Sequence, residues 1–173
     1  MRLFLIAAVA VSAVALPAAA QTGSKPEITV SGGYTRFADG SQDWDGHSAT
    51  VRAAARFHRY FGVEAEGSLG IGSSDIGGVD IKMNHTVAAF AVAYLPLSEN
   101  FDLTARLGYG STEFEVEFGG LTGTESFSGP AFGIGGQYFF DASNGLRMDV
   151  TRHEYDELDG GFDAVSFAYV RRF

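Results

Sequence analysis

The chain has 173 residues, no cysteine and a formal net charge of −9. Without cysteine it can form neither disulfide bonds nor a thiolate metal site, and its acidic balance argues against nucleic acid as a partner. Hydrophobic residues make up 46% of the chain and aromatic residues 13%, and there are 23 glycines. That composition suggests strands and turns rather than a soluble helical domain.

The N-terminal residues have the pattern of a secretory signal peptide. Arg2 precedes an apolar stretch at 3–16, and small residues follow as far as Ala20. This order is typical of a cleaved export signal, whereas the apolar stretch is short for an uncut membrane anchor. The predicted division is a cleaved signal peptide at 1–20, a short N-terminal segment at 21–26 and one domain at 27–173.

Apolar and polar residues alternate with period two along the rest of the chain, which predicts β-strands. The connections after the second, fourth and sixth strands are short, whereas the others are longer and rich in Gly, Asp and Ser. Residues 111–127 form either a long loop or an extension of the adjoining strands. The eight predicted strands cover 27–37, 47–58, 62–72, 83–95, 101–110, 128–140, 146–155 and a final stretch that ends at Phe173.

Alternation alone fits two architectures. In a soluble sandwich or lipocalin the apolar face is inside, whereas in a membrane barrel it faces lipid. The export pattern, the even strand count, strands of roughly 10 residues and the unequal connections favour the membrane. The predicted fold class is all-β, an eight-stranded antiparallel up-and-down transmembrane β-barrel. In the fourth strand, where alternation is weak, Phe90, Val92 and Tyr94 are assigned outward.

In such a barrel the charged strand residues must face the interior, because a basic side chain at the bilayer midplane costs ~2–4 kcal/mol. A three-residue turn at 59–61 would place Arg56 opposite Glu64 and Arg52 diagonally near Glu66. Since a barrel of this size is filled by its own side chains, we interpret the charges as structural ion pairs. A gate whose pairs exchange to admit ions is the alternative. The predicted lumen network comprises Arg52, Arg56, Glu64, Glu66, Arg106, Arg147 and Asp149.

The chain ends in "VSFAYVRRF", an alternating apolar and aromatic stripe that Arg171 interrupts. With "RYFGVEAEGSLG" (59–70) and "LPLSENFDLTARLGYG" (95–110), this stretch resembles the small eight-stranded outer-membrane barrels of Gram-negative bacteria, the OmpA-type or porin-family group. The resemblance implies a monomer in the cell outer membrane, without a cofactor, that supports envelope integrity and has at most small-ion permeability. It also implies a signal for the barrel-assembly machinery at Val165, Phe167, Tyr169 and Phe173.

Further functions depend on particular residues. Arg36 and Arg152 continue outward stripes near the long connections and could bind lipopolysaccharide phosphates. A lipid-modifying enzyme would need a serine beside a histidine, for which Ser166 could approach His153. No metal site is expected, because the aspartates of 38–46 lack the EF-hand spacing. A surface adhesion protein acting through its loops would draw contacts from Phe114, Phe118, Leu121 and Phe127.

Overall fold

The computed structural model describes residues 25–39, 45–72, 74–76, 79–118, 121–155 and 161–173. The predicted signal peptide (1–20) and Asp43 of the first acidic connection lie outside the described residues. No helix in the described ranges is long and apolar enough to cross a membrane.

Antiparallel strands account for almost all of the described residues. They are β1 (Glu27–Asp39), β2 (Asp45–His58), β3 (Phe61–Ile71), β4 (Ser74–Ile76), β5 (Val79–Pro96), β6 (Phe101–Phe118), β7 (Leu121–Phe139), β8 (Asn144–Glu154) and β9 (Gly161–Arg172). All but β4 close into a barrel in chain order, because β1 pairs with both β2 and β9 and β3 pairs with β5. The three-residue β4 pairs with the start of β5.

The two ends of the barrel differ. Tight turns at 59–60, 97–100 and 140–143 lie at one end, which we call the turn end, and the opposite ends of the described strands define the loop end. β6 and β7 are 18 and 19 residues long and pair as far as Phe118 and Leu121. Residues 111–118 and 121–127 therefore belong to extended strands, which continue beyond the pairing of β7 with β8.

The barrel is apolar outside and polar inside. Leu69, Leu107 and Ile134 are 66%, 64% and 69% exposed on the outer wall, whereas Arg106 and Asp149 are 3% and 1% exposed. A soluble sandwich or lipocalin would show the reverse arrangement, because its apolar face is buried. The predicted eight-stranded antiparallel transmembrane barrel is confirmed.

The facing of β5 differs from the prediction. Phe90, Val92 and Tyr94 point into the barrel and are only 3%, 2% and 5% exposed, so their outward assignment is wrong. The guanidinium carbon of Arg106 lies 4.5 Å from the centre of the Phe90 ring, and that of Arg56 lies 4.4 Å from the centre of the Tyr94 ring. These cation–π contacts favour the aromatic rings inside, while alanines occupy the intervening outward positions.

β9 closes the barrel against β1, as the terminal stripe predicts. Val165, Phe167 and Tyr169 face outward, and Phe167 pairs with Tyr34 of β1. The seam is tight on its inner side. A Cβ atom at Gly33 would lie 2.1 Å from the backbone oxygen of Phe167, a distance that no real side chain tolerates. The glycine therefore allows the two strands to approach.

Candidate functional site

Apolar side chains close the loop end of the lumen. Phe37 and Phe162 meet edge to face, with ring centres 5.0 Å apart. Phe114 and Phe127 pack against the same group from the extended strands. These two residues, to which the adhesion hypothesis assigns contacts, are partly buried, and the side chains of Phe118 and Leu121 lie outside the described part. We call this group the apolar plug: Phe37, Met83, Tyr155, Phe162 and Ala164.

Below the apolar plug, hydroxyl groups of neighbouring strands bond to one another. Thr50 Oγ1 lies 2.7 Å from Thr35 Oγ1 and 2.8 Å from Ser68 Oγ, and Thr86 Oγ1 lies 2.9 Å from Thr112 Oγ1. Because each hydroxyl can both donate and accept, such a chain satisfies buried polar atoms without charge. We call this layer the hydroxyl belt: Thr35, Ser48, Thr50, Ser68, Thr86, Thr112, Thr151 and Ser166.

His153 and Ser166 do not form the pair that catalysis would need. His153 is buried, its ring centre lies 5.0 Å from that of Phe162, and its Nε2 has no hydrogen-bond partner among the described residues. Ser166 Oγ accepts a hydrogen bond from Arg52 Nη2 and shares one with Thr35 Oγ1, each at 2.8 Å. The serine is therefore engaged in the polar layers of the lumen.

Three arginines and three carboxylates fill the middle of the barrel. Arg106 Nη1 donates to Glu64 Oε1 at 2.9 Å and to Glu66 Oε2 at 2.7 Å. Arg147 donates from Nη1 to Glu64, and its Nε lies 2.9 Å from Asp149 Oδ2. Each of these side chains is almost fully withdrawn from solvent, so each charge depends on its partners. We call this layer the central charged belt: Arg52, Glu64, Glu66, Arg106, Arg147 and Asp149.

The register between β2 and β3 differs from the predicted one. The turn contains two residues (59–60) rather than three, and a bulge interrupts the pairing just after Arg56. Arg52 therefore lies directly opposite Glu66, with 2.6 Å between Nε and Oε2. The predicted pairing of Arg56 with Glu64 is wrong, because the bulge moves Glu64 toward the middle of the lumen and away from Arg56.

Arg56 belongs to a separate charged layer near the turn end. Its Nη1 lies 3.1 Å from Asp102 Oδ2 and 3.9 Å from Glu27 Oε1. Arg172 Nη1 lies 3.3 Å from Glu27 Oε2, and its guanidinium carbon lies 3.6 Å from the centre of the Phe139 ring. We call this layer the turn-end belt: Glu27, Arg56, Asp102, Gln137 and Arg172.

Apart from Arg56, the predicted network included none of the three other charged members of the turn-end belt. Glu27 and Asp102 lie in the same alternation as the inward polar residues of β1 and β6. Arg172 directly precedes Phe173, whose side chain is exposed, so alternation predicts that Arg172 faces inward. The period-two rule therefore predicts these residues as well, if the alternation of inward and outward positions is continued to the ends of the strands.

Charge is balanced within each charged belt. The central charged belt combines three arginines with three carboxylates, and the turn-end belt combines two with two. Buried charges are tolerated when they are paired and hydrogen-bonded. Two arginine donors in these belts, Arg52 Nη1 and Arg172 Nε, form no hydrogen bond among the described residues, although Arg52 Nη1 lies 3.8 Å from Asp149 Oδ2.

Arg36 and Arg152 lie on the outer wall near the loop end. Arg36 is exposed on β1 and pairs across the ladder with Val165 of β9. Arg152 Nη1 lies 3.4 Å from Asp163 Oδ1, also on β9. The structure thus places both arginines on the same side of the barrel, on either side of the closing strand.

A closed barrel with an apolar outer wall and a polar, charge-balanced lumen defines the class of transmembrane β-barrels. The chain matches the family model of the outer membrane protein beta-barrel domain over residues 6–173, and it belongs to that family. In bacterial outer-membrane barrels the short turns are periplasmic and the longer loops extracellular. The turn end is therefore periplasmic. No curated protein is significantly similar in sequence.

Solved outer-membrane barrels share this fold. The attachment invasion locus protein Ail of Yersinia pestis has a TM-score of 0.66 at 17% identity, over 87% of this chain and 100% of that chain. Neisserial surface protein A has a TM-score of 0.64 at 12% identity, over 87% and 98%. OprG of Pseudomonas aeruginosa has a TM-score of 0.60 at 14% identity, over 88% and 98%. At these identities the likeness shows the fold alone.

Proposed function

We propose that this protein is a structural outer-membrane barrel that supports envelope integrity and conducts at most small ions. The observation that supports the proposal is the filling of the lumen by four layers. From the extracellular end these are the apolar plug, the hydroxyl belt, the central charged belt and the turn-end belt. An eight-stranded barrel has an interior just wide enough for such side chains, so the filling favours a rigid, sealed cylinder.

Ion passage would require these layers to separate. Glu64 would have to release Arg106 and Arg147, and its buried carboxylate would then have only Arg52 Nε, 4.0 Å away, as a charged partner. Breaking a buried pair in this way costs ~3–5 kcal/mol, and the apolar plug would have to open at the same time. A gate formed by exchanging pairs is therefore less favoured than a permanently closed lumen.

Planar-bilayer recordings of the purified barrel test the closed lumen. The wild-type protein should give no regular conductance steps. A variant that opens both the plug and the central belt, with Phe37→Ala, Phe162→Ala, Arg52→Ala and Glu66→Ala, keeps the charge balance and should conduct. Frequent openings of the wild type, at the level of that variant, would favour a pore.

Loss of the gene should also sensitise cells to detergent, and the wild-type gene should restore resistance.

Contact with lipopolysaccharide extends this proposal to the outer leaflet. Arg36 and Arg152 sit on the outer wall at the extracellular end, where lipid A phosphates lie, and arginine binds phosphate with two parallel hydrogen bonds. Arg152 Nη1 also lies 3.4 Å from Asp163 Oδ1, so this carboxylate competes with a phosphate for Arg152. Arg36→Gln and Arg152→Gln should each lower lipopolysaccharide retention by the purified barrel. Equal retention by all three proteins would exclude the contact.

A surface-interaction role is the second candidate. It is favoured by the extension of β5, β6 and β7, whose residues 123–126 are exposed. Ail, which shares the fold, was solved in complex with a heparin analogue, sucrose octasulfate. Here Glu113, Glu115 and Glu125 lie on the extension, and their charge would repel a sulfated ligand. Deletion of 115–126 should abolish attachment of cells to a host surface if the candidate is right, and unchanged attachment would exclude it.

A further inference from the structure

His153 is a buried histidine that lies inside the barrel, between the apolar plug and the central charged belt. The residue is 2% exposed, and its ring centre lies 5.0 Å from that of Phe162 and 6.4 Å from that of Phe37. The next inward residue of β8 toward the turn end, Thr151, accepts hydrogen bonds from Arg106 of the central charged belt. The histidine therefore forms the floor of the apolar plug.

The surroundings of His153 suit a neutral ring. Its Nε2 is buried and forms no hydrogen bond within the described ranges. Tyr155, the titratable neighbour on β8 itself, donates its hydroxyl to Thr112 at 2.8 Å. The other neighbouring strands face the histidine with side chains that do not titrate: Phe37, Ala88, Ala131 and Phe162. An imidazolium, which carries N–H groups on both nitrogens, would therefore have a donor without an acceptor.

The charged groups that act on His153 belong to the central charged belt. They are Arg52 of β2, Glu66 of β3 and Arg106 of β6. Glu66 is already bound by both arginines, at 2.6 Å and 2.7 Å, and the belt as a whole is neutral. Protonation of His153 would therefore add an uncompensated positive charge beside two buried arginines and beneath apolar rings, which is unfavourable while the plug is closed.

The apolar plug also anchors the extracellular extension of β6 and β7. The Phe114 ring centre lies 6.5 Å from that of Phe162, and the Phe127 ring centre lies 6.1 Å from that of Tyr155. Beyond these contacts, residues 123–126 are exposed. Water can reach His153 from the extracellular end only if the plug rings separate, and their separation also releases Phe114 and Phe127.

We propose that His153 is an acid-sensitive switch, whose protonation opens the apolar plug and releases the extension of β6 and β7 from the mouth of the barrel. The closed plug accommodates the neutral ring, whereas an opened, hydrated plug accommodates both forms. A histidine in water titrates at about pH 6.5, so below that pH the ratio of open to closed molecules rises by up to about tenfold per pH unit. The central charged belt consists of arginines and carboxylates, and it stays closed.

Cysteine labelling measures the opening, because the chain has no cysteine of its own. Ala164→Cys places a thiol in the apolar plug, and Thr124→Cys places one on the exposed part of the extension as a reference. The folded barrel in lipid vesicles is treated with a pyridyl disulfide, which reacts with thiols in acid as well. The labelling rate at position 164, divided by that at position 124, should rise roughly twentyfold from about pH 7.5 to about pH 5.

Two substitutions of His153 remove the titratable group from the reporter proteins. His153→Phe keeps an aromatic ring in the plug, and His153→Gln keeps a polar side chain; in both, the relative labelling rate should not change with pH. His85→Gln is the matched control, since His85 is part-exposed on β5 beside Glu113, and this variant should keep the rise in acid. Heat-modifiable migration at both pH values verifies that every variant is folded.

The remaining outcomes decide against the proposal. A relative labelling rate that is independent of pH with His153 present, or the same rise in His153→Phe, would exclude this histidine as the switch. Phe127→Cys reports on the extension, and the absence of a rise there would contradict the release of β6 and β7. Regular conductance steps that appear only in acid would show that the central charged belt opens too, contrary to an opening confined to the plug.

Discussion

Arg52 on β2 and Glu66 on β3 lie directly opposite each other, with 2.6 Å between Nε and Oε2. Arg106 Nη1 donates to the same carboxylate oxygen at 2.7 Å, so Glu66 joins three strands of the barrel. Because these groups are buried in a charge-balanced belt, removal of either partner leaves one unit of uncompensated charge in the lumen. Together with Arg106, the pair therefore links three strands of the barrel through the lumen.

Removal of both members of this pair should be less harmful than the sum of the two single removals. Arg52→Met or Glu66→Met alone should cost ~3–5 kcal/mol of unfolding free energy, because the central charged belt is left with one uncompensated buried charge. The double variant keeps the belt neutral and should be destabilised by less than the sum, with a coupling of about 1–3 kcal/mol. Guanidinium-induced unfolding in lipid vesicles measures the unfolding free energy of all three variants. Additive effects would show that the two residues are not coupled.

Much of the architecture could be predicted because it follows from one rule. Period-two alternation placed Arg106, Arg147 and Asp149 on the inner face of their strands, and it distinguished the short turns from the longer connections. Which face of each strand points into the lumen followed from the high free energy of placing a charged side chain in lipid. These are properties of residue type and spacing, and the sequence contains both.

The remaining features depend on contacts between distant residues. The bulge after Arg56 shifts the β2–β3 register, and no residue near it signals an extra residue in the ladder. Alanines occur on both faces of β5, so its sequence does not distinguish an inner face from an outer face. The contact of Phe90 with Arg106 of the next strand decides that Phe90 faces inward. The apolar plug reverses the rule that apolar means outward, because Phe37 and Phe162 face the extracellular end of the lumen.

The corrected facing of β5 can be tested by truncation. Phe90→Ala should cost ~3–5 kcal/mol, because it leaves a cavity in the lumen and removes the ring beneath Arg106. Phe132→Ala, at an outward position of β7, should cost ~1.5 kcal/mol, since only burial in lipid is lost. Unfolding of both variants in the same vesicles provides the comparison. An equal or smaller cost at Phe90 would favour an outward ring.

The seam between β1 and β9 offers a pair of adjacent glycines for a second test. A Cβ at Gly33 would meet backbone atoms of Phe167, whereas one at Gly32 would meet nothing within 4 Å. Gly33→Ala should therefore force the strands apart and cost ~1–3 kcal/mol, and Gly32→Ala should be nearly neutral. The temperature at which each barrel loses its compact electrophoretic form reports the difference. Similar temperatures for the two variants would contradict the close approach of β1 and β9 at Gly33.

Asp141 should make the β7–β8 turn sensitive to acid. Hydrogen bonds from the Asn144 side chain and from the Ser143 backbone hold the pKa of this carboxyl below its ordinary value. A depressed folded-state pKa stabilises the protein above the unfolded pKa, and this contribution is lost as the pH falls toward the folded value. The stability difference between wild type and Asp141→Ala should be constant near neutral pH and shrink below about pH 4. A difference that widens in acid, or an identical response of Glu99→Ala, would contradict this account.

Deletion of Phe173 should impair assembly more than it weakens the finished barrel. The residue is exposed, and its described backbone contact is the hydrogen bond from its amide to the Ile28 carbonyl, so its loss should cost ~1 kcal/mol once the barrel is inserted. Recognition by the assembly machinery, in contrast, should require the complete stripe of Val165, Phe167, Tyr169 and Phe173. The amount of folded protein in outer membranes should therefore fall severalfold, while unfolding of the purified barrel changes little. Phe140→Ala, at an exposed aromatic of the same end, is the control and should assemble normally. Wild-type yield of the truncated protein would remove Phe173 from the signal.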